Sequence, residues 1–250
     1  PDSPTVGPDP PPRQLFYQQR GHRTATVPYE LQSPLAPDRL RVALRVDPGR
    51  PTYLRRVLYT GLGTLERPQK RRLLAETIFA PTDTALGDTL RVTVRDQRYR
   101  EPMLLEERRR LLTFLQNEGY AGVSRDSVKA VVYPVAPDSF DVALRVRPGP
   151  RYRFGDVRFS GTGPERTSPR YDTLDVPVDT SGGHRPRVTT RIEDDGHLEP
   201  GILRRSLQFA PGKYYDQSAV QATKRRLENT GVFAFTNLSP EFAAAAPSDS

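Results

Sequence analysis

Three histidines, His22, His184 and His197, are the side chains best suited to bind a metal or move a proton near neutral pH. None has a histidine partner at ligand spacing, and the chain contains no cysteine. The run "EDDG" at Glu193–Gly196 concentrates carboxylates, the raw material of a calcium site. It lacks the spaced ligands of a calcium loop and reads as a polar loop. "GLG" at Gly61 and "GTG" at Gly161 invite comparison with phosphate-cradling loops. Neither leads to a phosphate-loop lysine or a dinucleotide fingerprint. Each follows the same predicted strand, so both read as turns. No nucleophile elbow or paired-carboxylate motif appears. The reading is of a chain that is not an enzyme and carries no metal or cofactor, so its chemistry must be recognition.

Composition narrows what kind of scaffold could do the recognising. Hydrophobic residues make up 35% of the 250 positions and proline accounts for 26. That apolar share is below the usual figure of about 45–50%, and points to small domains with polar connections. The net charge of +8 invites nucleic acid, anionic lipid or an acidic partner. Apart from Lys70, Lys129, Lys213 and Lys224 the basic residues are arginines, spread through every predicted element. Scattered in this way, they read as a solvated surface. The chain opens on Pro1 with no initiator methionine, signal peptide or long apolar run, and reads as a segment of a longer protein. Residues 1–13, "PDSPTVGPDPPPR", read as a proline-rich linker.

Beyond the linker the chain repeats itself. "VALRVDPG" at Val42–Gly49 returns as "VALRVRPG" at Val142–Gly149. Aligned without gaps, 41–63 and 141–163 share ten of 23 positions. "FYQQRGH" at Phe16–His22 answers "FLQNEGY" at Phe114–Tyr120, "APD" recurs at Ala36 and Ala136, and "RLENTGVF" at Arg226–Phe233 is a third partial copy. A period near 100 residues means tandem copies of one small domain.

The unit reads as follows. Residues 102–118 form an amphipathic helix, with Leu104, Leu111 and Leu115 on one stripe and Glu106, Glu107 and Arg109 facing away. Gly119 supplies the left-handed residue that ends it, and Tyr120 tucks back. "KAVVYPV" at Lys129–Val135 is a strand, and Pro134, lacking an N–H, places it at a sheet edge. "FDVALRV" is its hairpin partner, with Val142, Leu144 and Val146 buried and Asp141, Ala143 and Arg145 on the wet face. Val42, Leu44 and Val46 are expected to be buried in the same way. Pro48-Gly49 and Pro148-Gly149 read as turns at seams between domains, and "DVRFS" at Asp156–Ser160 as a further half-buried strand. A short helix is expected near 200–208. Another should be capped by Asp216, bury Val220 and Leu227, and end at Gly231, followed by an edge-type strand at Phe233–Leu238.

Each unit therefore reads strand, helix, helix, strand, strand. The expected fold class is α+β: tandem small β-α-α-β-β units, each a three-stranded mixed sheet covered on one face by two helices. The expected divisions are 14–50, the C-terminal part of one unit; 51–149, a second unit with extra residues near 64–90; and 150–250, a third. The third carries an inserted hairpin near 171–196 with a "SGGH" tip. "AAAAPSDS" is not strand-like where its closing strand should stand.

The ordered pattern of Leu115, Gly119, Tyr120, Pro148, Gly149 and Gly161 resembles the polypeptide-transport-associated (POTRA) domains of the BamA/TamA outer-membrane assembly superfamily. It recurs in part at Gly21, His22, Pro48, Gly49 and Gly61, and again at Leu227, Gly231 and Phe233. "LEERRRLLTFLQNEGY" looks most like the TamL-type lipoprotein relatives of TamA. The resemblance implies a POTRA array on the periplasmic face of the outer membrane of a Gram-negative-type bacterium. Its implied partners are unfolded outer-membrane protein clients or accessory assembly proteins, together with the protein's own C-terminal membrane β-barrel. The candidate site is the edge Ala130, Val131, Val132 and Tyr133, where an extended client could add a strand, with Leu112 and Gln116 lining a neighbouring groove. Val131→Pro is expected to block it.

Two other readings compete. The array could act only as a protein–protein dock or spacer. A KH-like nucleic-acid module shares the strand–helix–helix–strand order, but the GXXG loop and an aromatic platform are missing, so no nucleic-acid partner is expected.

Overall fold

The computed structural model describes residues 12–22, 24–36, 39–162, 168–175, 186–193, 200–231 and 236–241. His184, His197, the "SGGH" tip, most of "EDDG" and Phe233 lie outside them. The fold is α+β with mixed sheets. The chain forms two compact units: Pro1–Phe114 with Val123–Pro148, and Leu115–Gly122 with Gly149–Ser250.

The first unit begins with helix α1 (Pro12–Gln19). Pro12 and Arg13 thus open a helix instead of closing a linker, as a proline in the first turn permits. Strands β1 (Tyr29–Ala36) and β2 (Arg39–Leu44) pair antiparallel as a two-stranded sheet. Here an expectation fails. Val42, Leu44 and Val46 are 50%, 45% and 43% exposed, whereas Val142 and Leu144 are fully buried and Val146 nearly so. The two phrases are almost the same, but their surroundings differ. Among the described residues β2 pairs only with β1, so nothing flanks it as β3 flanks the second copy.

That second copy sits in a five-stranded sheet. β3 (Tyr53–Thr60) leads to α2 (Arg67–Ala75), then to the hairpin β4 (Pro81–Ala85) and β5 (Leu90–Arg98). α3 (Glu101–Asn117) follows, then one 3-10 turn, β6 (Val128–Ala136) and β7 (Ser139–Val146). The spatial order is β4-β5-β3-β7-β6. β3 runs parallel to β7, as a helical crossover requires, and the other pairs are antiparallel. The expected three strands are therefore present as β3, β7 and β6. The extra residues between the helices widen the sheet by two strands.

One face of this sheet carries Val57, Tyr59, Leu90, Val92, Val142 and Leu144, all fully buried. Leu73 and Leu74 of α2 and Leu104, Leu111 and Phe114 of α3 are buried as well. The predicted stripe of α3 thus holds, Leu115 included. Glu107, expected to face water, is instead fully buried, because Tyr59, Thr77, Arg110 and the Ile78 amide all donate to it.

The opposite face is polar. A register shift between Leu54 and Arg56 places a bulge at Arg55, and both arginines reach Asp141. Asp141, expected to be wet, is 6% exposed under those two guanidiniums, and Ala143, expected on the same wet face, is buried between Leu58 of β3 and Val131 of β6.

The second unit contains β8 (Val157–Thr162), β9 (Arg170–Asp175), β10 (Arg187–Glu193), α4 (Pro200–Ser206) and α5 (Gln217–Glu228). β9 and β10 pair antiparallel, the two arms of the expected hairpin, and β10 also pairs parallel with β8. Gly161 lies inside β8, so it is not the turn residue expected from Gly61. Phe159, Val188 and Ile192 pack with Leu203 and Leu227 from the helices. Asp216 caps α5 by accepting from the Ser218 and Ala219 amides. Thr236–Leu238, part of the expected edge-type strand, are not in a strand.

The repeat extends into backbone hydrogen bonding. In the first unit Thr52 donates to the Gly21 carbonyl at 2.7 Å and accepts from Tyr99 at 2.8 Å. In the second unit Tyr152 donates to the Gly119 carbonyl at 2.8 Å and accepts from Tyr215 at 3.0 Å. Gly119 has φ 103°, and the Tyr120 amide returns to the Leu115 carbonyl, closing the helix end as expected.

Candidate peptide-binding edge

β6 exists because Val128–Val135 is β-branched and aromatic, and because its hairpin partner β7 carries a full buried face. It lies at the end of the five-stranded sheet, paired only with β7 among the described strands. Ala130, Val131, Val132 and Tyr133 are therefore brought together on one edge. Ala130 and Tyr133 are exposed, and Val131 and Val132 are half-buried.

The register decides which backbone groups are free. Arg147 donates to the Ser127 carbonyl at 2.8 Å. Antiparallel pairing alternates from that bond, and the ladder runs Val128↔Val146 through Pro134↔Phe140. Lys129, Val131 and Tyr133 thus bond to Arg145, Ala143 and Asp141. Ala130 and Val132 turn their amides and carbonyls outward, whereas the Val128 amide donates back to the Arg125 carbonyl. Pro134 falls on the outward side as well, where its missing N–H breaks no ladder bond. The expected effect of Val131→Pro is corrected by this parity. That amide serves the internal ladder, and the outward donor to remove is Val132.

Side chains follow the opposite logic. Ala130 and Val132 share the helix-side face with Leu144 and Val142. Lys129, Val131 and Tyr133 lie on the polar face beside Arg145, Ala143 and Asp141. The Arg145 guanidinium donates to the Tyr133 hydroxyl at 2.5 Å. At Asp141 burial opposes ionisation, but the hydrogen bonds from Arg55 and Arg56 outweigh it and hold the carboxyl below its usual pKa.

Leu112 and Gln116 are one turn apart on α3, and both are half-buried. Leu112 belongs to the compact unit that contains β6, whereas Gln116 belongs to the other. The sequence reading missed the cationic pair Lys129 and Arg145. Their shared face follows from strand alternation, but only once the hairpin register is known.

His22, the described histidine of the three considered, lies with Nδ1 3.2 Å from the Pro48 carbonyl in a loop contact. No described helix is long and apolar enough to cross a membrane.

No protein-family model matches the chain, and no curated protein does either. Solved structures similar to it include two POTRA arrays. The crystal structure of POTRA domains 3–5 of Haemophilus influenzae BamA is 17% identical over 88% of this chain, with a TM-score of 0.42. The chain covers 66% of that structure's length. POTRA domains 1–3 of the periplasmic domain of Omp85 from Anabaena are 16% identical over 86% of this chain and 67% of that one, with a TM-score of 0.27.

Proposed function

We propose that this chain is part of a periplasmic POTRA array of a BamA/TamA-type outer-membrane protein, TamL-like in its motif wording, and that it captures extended polypeptides by strand addition on β6. The observation that carries the reading is the outward parity of Ala130 and Val132 on an edge strand with no described outer neighbour. Backbone groups in that state form a template for another strand, whatever the side chains of that strand are. A receptor for many unfolded clients needs that indifference. The internal repeat and the parallel β3–β7 crossover with helices between them support the POTRA assignment. In this reading the array works without catalysis, beside a membrane β-barrel of the same protein.

The test is fluorescence anisotropy with a fluorescein-labelled peptide of alternating valine and threonine, about ten residues long. Val132→Pro is expected to weaken capture at least about tenfold while leaving the far-UV circular dichroism unchanged. Undiminished capture by a folded Val132→Pro protein would overturn the proposal.

A further inference from the structure

The polar face beside the proposed edge has an unusual charge arrangement. Lys129 and Arg145 are directly opposed across the β6–β7 ladder. Like charges in that position repel. Among the described residues no carboxylate relieves them. Arg145 is bonded to a phenol, and Lys129 forms no ion pair among the described residues. Two same-face positions along β7, opposite Tyr133, the single carboxylate of Asp141 is shared by Arg55 and Arg56. This face thus carries four cations and one anion, beside the exposed rings and branches of Tyr133 and Val135.

We infer that β6 selects extended segments that carry an acidic residue opposite Lys129, with apolar or aromatic residues at the next positions of the same face, opposite Val131 and Tyr133. This inference rests on the strand-addition reading. A strand added to β6 places every second side chain on the polar face, opposite Lys129, Val131 and Tyr133. A carboxylate opposite Lys129 would also lie near Arg145 and relieve the repulsion. An aromatic or branched residue opposite Val131 or Tyr133 would cover their apolar atoms. The backbone supplies capture, and the charge pair supplies preference and register.

The test uses the 250-residue chain and two fluorescein-labelled strand-forming peptides of equal length and apolar content. One carries a single central glutamate, and the other lysine at the same place. At low salt the acidic peptide is expected to bind about tenfold more tightly, and the gap should close as the salt rises. Lys129→Glu with Arg145→Glu should reverse the order. Lys129→Gln with Arg145→Gln, which is milder toward folding, should abolish the difference. Val132→Pro should weaken both peptides. If Val132→Pro weakens both but they bind equally to the parent protein, the charge preference is wrong and strand addition stands. If the acidic preference survives Val132→Pro, or neither peptide binds, both inferences fall.

Discussion

The Tyr59 hydroxyl donates to the Glu107 carboxylate at 2.5 Å, and both residues are buried among the helices and central strand of the five-stranded sheet. Arg110, one turn along α3, closes on the same carboxylate at 2.6 Å. The Ile78 amide reaches it from the turn after α2. One charge therefore ties β3, α2 and α3 together, and each of its lone pairs has a donor.

Removing that carboxylate should be costly. Glu107→Ala leaves Arg110 and the Tyr59 hydroxyl without their shared partner and is expected to cost about 3–5 kcal/mol. Tyr59→Phe removes one charge-assisted bond, at about 1.5–3 kcal/mol. Urea-unfolding midpoints check both. Burial first, and the Glu107 charge second, raise the Tyr59 phenol far above its usual 10.0. The stability it contributes is complete below pH 10 and is lost as pH rises beyond that, so Tyr59→Phe should flatten the alkaline limb.

The depressed pKa of Asp141 has the opposite sign. The folded state holds its proton less tightly than the unfolded state, so the contribution is present above the ordinary value of 3.8. It is lost as pH falls through the lower folded value. Asp141→Asn should reduce stability at pH 7 by about 1 kcal/mol, a modest figure because both arginines are partly solvated. The difference should shrink in unfolding curves taken near pH 3.

The two copies of the repeated phrase should respond differently to one substitution. Leu144→Ala opens a cavity in a closed core and is expected to cost about 2–5 kcal/mol. Leu44→Ala changes a side chain already 45% exposed and should stay within about 0.5 kcal/mol. Equal costs in thermal melts would show that the first copy is covered in solution.

Gly61 has φ 81°, and a Cβ there would lie 2.0 Å from the Val146 carbonyl oxygen. Gly61→Ala must therefore move the end of β3 away from β7. A loss of about 2–3 kcal/mol is expected, read from the shift in the urea midpoint.

Periodicity and turn chemistry were enough to read the α3 stripe, the cap at Asp216, the β6–β7 hairpin and the edge position marked by Pro134. Each depends on neighbours within a few residues along the chain. The inserted β9–β10 hairpin was legible for the same reason. Other features depended on what folds back from far away in sequence. Glu107 reads as solvent-facing until Tyr59, 48 residues earlier, supplies a hydroxyl. Asp141 reads as wet until a bulge 86 residues before it turns Arg55 onto the same carboxylate as Arg56.

The identical words "VALRV" are core in one copy and surface in the other, because burial belongs to the neighbouring strand and not to the phrase. The candidate edge divides in the same way. Pro134 alone marks the strand as an edge, since a missing N–H can be read from one residue. Which amides face outward, and that Lys129 meets Arg145, follow from the folded register, because a shift of one residue exchanges every group between the ladder and the solvent.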